Sequence, residues 1–262
     1  MKFLAQLDKA TDKNDSLLCI GLDVDLAKIP QNFLNTEDPI FNFNKTVIDA
    51  TKQLVCAYKP NSAFYEMYGI YGLSALLRTI EYIHQETDVP VILDAKRGDV
   101  GHSSTAYAKS VFQVFKADAT TVNPYMGHDS VRPFLEFEEK GVFILCLTSN
   151  VGFKDFQIKG VDEPLYKSVA KHVREWNHYG NCGLVVGATK AEELKSVREL
   201  AGDMPLLIPG VGAQGGDLEA SVKHGTIKNG KRAVINASRS ILYAADPYSE
   251  AKKLRDNINK FR

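Results

Sequence analysis

The stretch VILDAKRGD, Val91 to Asp99, runs from apolar residues into a dense cluster of Asp94, Lys96, Arg97 and Asp99. Side chains alternate along a strand, so Asp94 and Lys96 are expected on one side and Ala95 on the other. Asp99 follows the strand, where a turn at Gly98 can redirect it. A lysine flanked by two carboxylates is held as an ammonium. That suits a proton donor and argues against a Schiff base, which needs the neutral amine. Lys59, at another strand end, can extend the alternating array. A lone D-x-K is more often a structural ion pair, but the D-x-K-x-x-D spacing at the third of eight strand-like runs favours chemistry.

A second group points to phosphate. PGVGAQGGD (209–217) and NASRS (236–240) supply glycines, Gln214 and Arg239. Backbone amides in such loops can cradle an anion. The Arg239 guanidinium can grip two phosphate oxygens at once, and Gln214 can add a donor. A glycine-rich turn explains GVGAQGG equally well by itself; paired with NASR, phosphate binding is the better reading. The glycine-rich segment from Ala213 to Lys231 is expected to hold a lid, a short helix (GDLEASVKH), or both.

These residues need a scaffold that gathers strand ends. Short β-rich runs occur at 17–24, 55–62, 89–97, 119–124, 141–150, 183–188, 205–211 and 233–240. They are nearly continuously apolar, as parallel strands covered on both faces are. Between them lie amphipathic helical patterns such as IFNFNKTVIDATKQL and EPLYKSVAKHVREWN. Eightfold strand–helix alternation predicts a (β/α)₈ TIM barrel, with residues 1–262 as one domain. Chemistry then collects at the C-terminal ends of the strands, where Asp23, Lys59, Asp94, Lys96, Asn123, Ser149 and Arg239 all fall. Together they predict one charged pocket.

Composition narrows the class. With 44% hydrophobic and 24% charged residues the chain reads as globular. Thirty-two basic residues balance thirty-two acidic ones, so no general attraction to nucleic acid or anionic membrane is expected. The four cysteines show no zinc or C-x-x-C spacing and are expected as buried free thiols in a reducing compartment. No run approaches the roughly 18 apolar residues of a membrane span, and the start is too quickly charged for a signal peptide. A cytoplasmic protein is expected.

LDAKRGD followed by VGHSSTAYA resembles the orotidine 5′-phosphate decarboxylase family, whose signature is D-x-K-x-x-D. IGLDVD, AYKPNSAFYEMYG, TVNPYMG, LTSN, PGVGAQGGD and NASRSI are similar to that family's other blocks, in its order. They look closest to the branch carrying DAKRGD and NPYxG. The resemblance implies conversion of orotidine 5′-monophosphate (OMP) to UMP and CO₂ without a cofactor or metal. It implies Lys96 as the proton donor to C6, Asp94 facing the substrate carboxylate, and Lys59 orienting Asp94 and binding the ribose. It further implies Asp23 on a ribose hydroxyl, in preference to nearby Asp25, and Ser149 on the pyrimidine. Finally it implies a homodimer in which Asp99 and a small polar residue enter the neighbouring pocket. Ser103 is the first choice for that residue, with Ser104 and Thr105 as competitors. His102, beside the motif, reads as structural. One barrel uses the whole chain, so no fused transferase domain is expected.

Two other kinds of protein share parts of this pattern. Magnesium-dependent sugar-phosphate enzymes on the same barrel share D-x-K-x-x-D but place an acidic metal ligand at the end of strand two, where this chain has Lys59. A silent phospho-ligand binder could keep Arg239 and Gln214 but has no use for the Asp94–Lys96–Asp99 array.

Overall fold

The computed structural model describes residues 1–188, 191–211 and 217–262. Gln214 therefore lies outside the described residues. Eight parallel strands form the sheet: β1 (Leu18–Gly21), β2 (Ala57–Lys59), β3 (Ile92–Arg97), β4 (Ala119–Val122), β5 (Gly141–Leu147), β6 (Cys182–Val186), β7 (Leu206–Pro209) and β8 (Ala233–Ala237). Their order is β2-β1-β8-β7-β6-β5-β4-β3. The two end strands meet through isolated parallel bridges, Tyr58 with Val91 and Asn61 with Asp94. The cylinder is thus a nearly closed, single-domain TIM barrel, with helices between the strands. Seven of the eight apolar runs contain a whole strand, and the run 183–188 overlaps β6, which starts one residue earlier at Cys182. Most strands are shorter than their runs because the ends leave the ladder to form loops.

Strand parity sorts the side chains. Cys19, Ala57, Ile92, Ala119, Phe143, Val185, Leu207 and Val234 share one interior cluster with Phe3 and Leu7. The N-terminal helix Phe3–Lys13 plugs the lower end of the barrel with Phe3, edge-on to Phe143 at 5.8 Å between ring centroids. A Cβ on Gly141 would meet the Phe3 ring at 2.3 Å, so that strand start must be glycine. The opposite faces of the strands pack on the surrounding helices in a second, larger core. Two residues further along each strand, the inward positions are Gly21, Lys59, Asp94, Thr121, Leu145, Gly187, Pro209 and Asn236. The polar ones belong to the layer that forms the floor of the upper opening.

All four cysteines are buried and free. Among the described residues no helix is long and apolar enough to cross a membrane. The described part of the glycine-rich segment after β7 is a helix, Leu218–Gly225, capped by Asp217, whose side chain accepts from the Ala220 amide.

Away from the opening, Arg198 ties three segments together. Its guanidinium donates to the carbonyls of Gly202 (2.8 Å), Met204 (2.7 Å), Gly225 and Arg232 (3.4 Å). No lysine could serve these carbonyls with one planar fork. Arg198→Met is expected to cost about 3 kcal/mol, because part-buried carbonyls lose charged donors. A lower urea midpoint with unchanged turnover per folded molecule is the expected measurement.

Candidate active site

The upper end of the barrel opens into a cavity of about 600 Å³, lined among others by Asp23, Lys59, Asn61, Asp94, Lys96, Thr121, Ser149, Asn236 and Arg239. Asp94 is at its centre. Lys59 Nζ donates to Asp94 Oδ2 at 2.8 Å, and Lys96 Nζ donates to Oδ1 at 2.7 Å. The Thr121 hydroxyl adds a third donor to Oδ1 at 2.7 Å. Lys59 and Asp94 are only 4% and 8% exposed, whereas the Lys96 side chain is 48% exposed. Of the two lysines on Asp94, Lys96 is therefore the one open to a bound molecule.

Burial alone would push the Asp94 carboxyl up, but Lys59 and then Lys96 overcome it and hold Asp94 well below the usual carboxylate range. Burial likewise opposes the charge on Lys59, and Asp94 and Asp23 reverse it, raising that lysine above its ordinary value. The buried pair therefore remains ionised at neutral pH.

Asp94 and Lys96 do meet, but not through regular strand alternation. Ladder pairs run Leu93 with Thr120 and then Arg97 with Val122, so β3 takes four steps against two on β4. The excess is taken up in a bulge where Lys96 has φ +46°. That left-handed conformation costs a non-glycine residue about 1–2 kcal/mol. Strain of this kind persists where surrounding bonds hold it. The Lys96 amide donates to the Thr121 hydroxyl at 2.9 Å. Gly98 then passes so close to β4 that a Cβ would meet the Asn123 carbonyl oxygen at 2.8 Å.

The other expected residues divide into two groups. Asp23 lines the cavity; its Oδ2 accepts from Ser238 Oγ at 2.9 Å, and its Oδ1 is buried with no hydrogen-bond partner among the described residues. Asp25 does not line the cavity and pairs with Lys28 at 2.6 Å. Ser149 and Arg239 line the cavity from the ends of β5 and β8. Asp99 and Ser103 do not. Asp99 Oδ1 accepts from the Val100 amide at 2.7 Å, and Ser103 is exposed on the helix Gly101–Lys109. Ser104 is buried and donates to the Ser130 carbonyl, while Thr105 donates back to Gly101 at 3.2 Å. Asn123 is a correction. It is exposed and outside the cavity, because its side chain turns to accept the Tyr125 amide at 3.0 Å.

The sequence and the scaffold match a known group. The model described as "Orotidine 5'-phosphate decarboxylase / HUMPS family" matches residues 16–254. The chain belongs to this family. An orotidine 5′-phosphate decarboxylase from an Azoarcus species is 50% identical, with 100% of both chains covered. Among solved structures, the OMP decarboxylase of Leishmania donovani overlays with a TM-score of 0.91 at 40% identity, covering 100% of this chain and 99% of that one. The UMP synthase of the same organism overlays at 0.92 and 42% identity, and there this chain spans 56% of the longer chain. The blocks from IGLDVD to NASRSI all lie inside the stretch matched by the decarboxylase family.

Thr121, Asn61 and Asn236 were not singled out from sequence. Thr121 sits in ATTV, where threonine reads as an ordinary strand former. Parity held the missing signal for two of them. Once Lys59 and Asp94 are inward, the same alternation makes Thr121 inward on β4 and Asn236 inward on β8.

Proposed function

We propose that this chain removes CO₂ from C6 of OMP to give UMP, and that its own residues supply the catalysis. The Lys59–Asp94–Lys96 array, fixed at the mouth of a barrel from this family, is the observation that carries the reading. As the C6–CO₂ bond breaks, its electron pair stays on C6. Lys96 gives its proton to that carbon and is reprotonated from water. Asp94 faces the departing carboxylate. Two like charges about 4 Å apart cost roughly 4 kcal/mol at an effective dielectric near 20. The largest ordinary rate enhancements require about 23 kcal/mol. Repulsion is therefore the smaller contribution, and stabilisation of the developing carbanion by a preorganised Lys96 is the larger one.

The remaining residues bind. Asp23 Oδ1 is an acceptor with no donor among the described residues, suited to a ribose hydroxyl. Ser149 meets the pyrimidine, and Arg239, with Gln214, takes the phosphate. Phosphate binding far from the breaking bond can be used to position the base. Lys59 on Asp94 argues against the magnesium-dependent rivals, because an ammonium stands where those enzymes place a metal ligand.

The reading includes a homodimer with shared sites. Asp99 and Ser103 lie outside their own cavity, and apolar side chains are exposed around them: Val100 at 54%, Tyr125 at 84% and Met126 at 45%. Segments after β2 and β3 are tied together there, Arg97 pairing with Glu66 and lying over the Tyr107 ring. Such a surface fits a second copy of the chain.

The decisive experiment follows the absorbance of OMP with purified protein and EDTA. Rapid, EDTA-resistant loss of substrate with UMP formed is expected. Tight UMP binding without turnover would reject the enzyme in favour of a phospho-ligand binder.

A further inference from the structure

We infer that Thr121 is a positioning residue for the proton donor, holding both the backbone of Lys96 and the carboxylate that orients its ammonium. The inference deepens the decarboxylase reading and rests on it for the turnover measurements below.

The β3–β4 ladder leaves Asp94, Ala95 and Lys96 opposite Thr121 alone, since pairing stops at Leu93 with Thr120 and resumes at Arg97 with Val122. Within that gap the threonine side chains replace lost ladder bonds. Thr120 Oγ1 donates to the Leu93 carbonyl at 2.8 Å, at the lower edge of the gap. Thr121 Oγ1 accepts the Lys96 amide at 2.9 Å, at the residue whose backbone is left-handed.

The direction of the Thr121 bonds is forced. An amide can only donate and an ionised carboxylate can only accept. The single hydroxyl proton must therefore go to Asp94 Oδ1, at 2.7 Å, while an oxygen lone pair takes the Lys96 amide. Lys96 Nζ donates to that same Oδ1 at 2.7 Å. The result is a closed circuit from the Lys96 backbone through Thr121 and Asp94 back to the Lys96 ammonium. Lys59 holds the other carboxylate oxygen and touches neither end of this circuit's backbone link. Thr121 is itself buried, 1% exposed, so water cannot readily replace it.

This role differs from general packing in what it predicts. Thr121→Val keeps the shape and removes only the hydroxyl, whereas Thr121→Ser keeps the hydroxyl and removes the methyl. The valine variant is expected to lower kcat by about 10- to 100-fold, the scale of a small misplacement of a reacting group. KM and UMP affinity should stay within about threefold, because ground-state binding is not what the circuit supplies. The serine variant should recover kcat to within about threefold of wild type. Amide hydrogen exchange at Lys96 gives a readout independent of turnover: protected in wild type and serine, faster in valine.

Unchanged kcat in the valine variant would overturn the inference. So would parallel losses of kcat and UMP affinity, or a serine variant as impaired as valine, since each would mean that bulk rather than the hydroxyl matters. If the wild type does not turn over OMP at all, the decarboxylase reading fails. Exchange at Lys96 then decides the positioning role alone, and equal exchange in the three proteins overturns it. Should the valine variant not fold, Thr121→Ala takes the same measurements.

Discussion

Replacing Lys96 by alanine is expected to abolish nearly all turnover of OMP, by about 10⁴-fold, while the protein stays folded and binds UMP. The structure explains why one charge can be removed so selectively. Lys96 is the half-exposed member of the array, and its loss leaves Asp94 bonded to Lys59 at 2.8 Å and Thr121 at 2.7 Å. No buried carboxylate is stranded, so the destabilisation that follows loss of a sole partner does not arise. The reaction nevertheless loses its proton source and the positive charge beside the developing carbanion. Single-turnover and steady-state rates with EDTA present, read beside UMP affinity, test this. A loss smaller than about tenfold would remove Lys96 from the role of donor.

The second large effect concerns Asp99, which lies outside its own cavity and, on the shared-site reading proposed above, acts in the partner's. Asp99→Ala is expected to lower turnover by about 10²- to 10³-fold, the scale of removing one charged or hydrogen-bonding group from a preorganised site. Mixing the inactive Asp99→Ala and Lys96→Ala proteins should then restore activity. In a hybrid dimer one site carries both substitutions and the other carries neither. After random subunit exchange about a quarter of the wild-type rate is expected. A mixture that stays inactive after demonstrated exchange would mean that each chain completes its own site.

The architecture was legible in the sequence because parallel strands covered on both faces leave long apolar runs, and each such run holds all or most of a strand. The runs overstate strand length because Val24, Pro60 and Ser149, for example, are apolar or polar loop residues adjoining the ladder. The charge cluster was legible as composition, but its geometry was not. Alternation puts Asp94 and Lys96 together on a regular strand, whereas here a bulge and a left-handed lysine do so. A bulge depends on how β3 pairs with β4, which the β3 residues alone do not encode. Thr121 was hidden for the same reason, its meaning arising only when it faces the gap. Asn123 was misread because strand-end position does not reveal whether an amide turns inward or caps its own turn. Arg239 and Asp23 stood out because both follow strand ends, where a barrel gathers polar groups, and the family motif separates Asp23 from Asp25.

The barrel is a hoop with one joint. Seven of its eight junctions are strand ladders, two of them with a register shift, and the eighth, between β2 and β3, is closed by two single bridges. The Lys59–Asp94 ion pair spans that joint. The charge array proposed for catalysis and the closure of the barrel thus share the same rivet. Motion that parts β2 from β3 must part this ion pair too, so the charge array is expected to come apart before the seven ladders do, and a molecule held by the array is expected to brace the hoop at this joint.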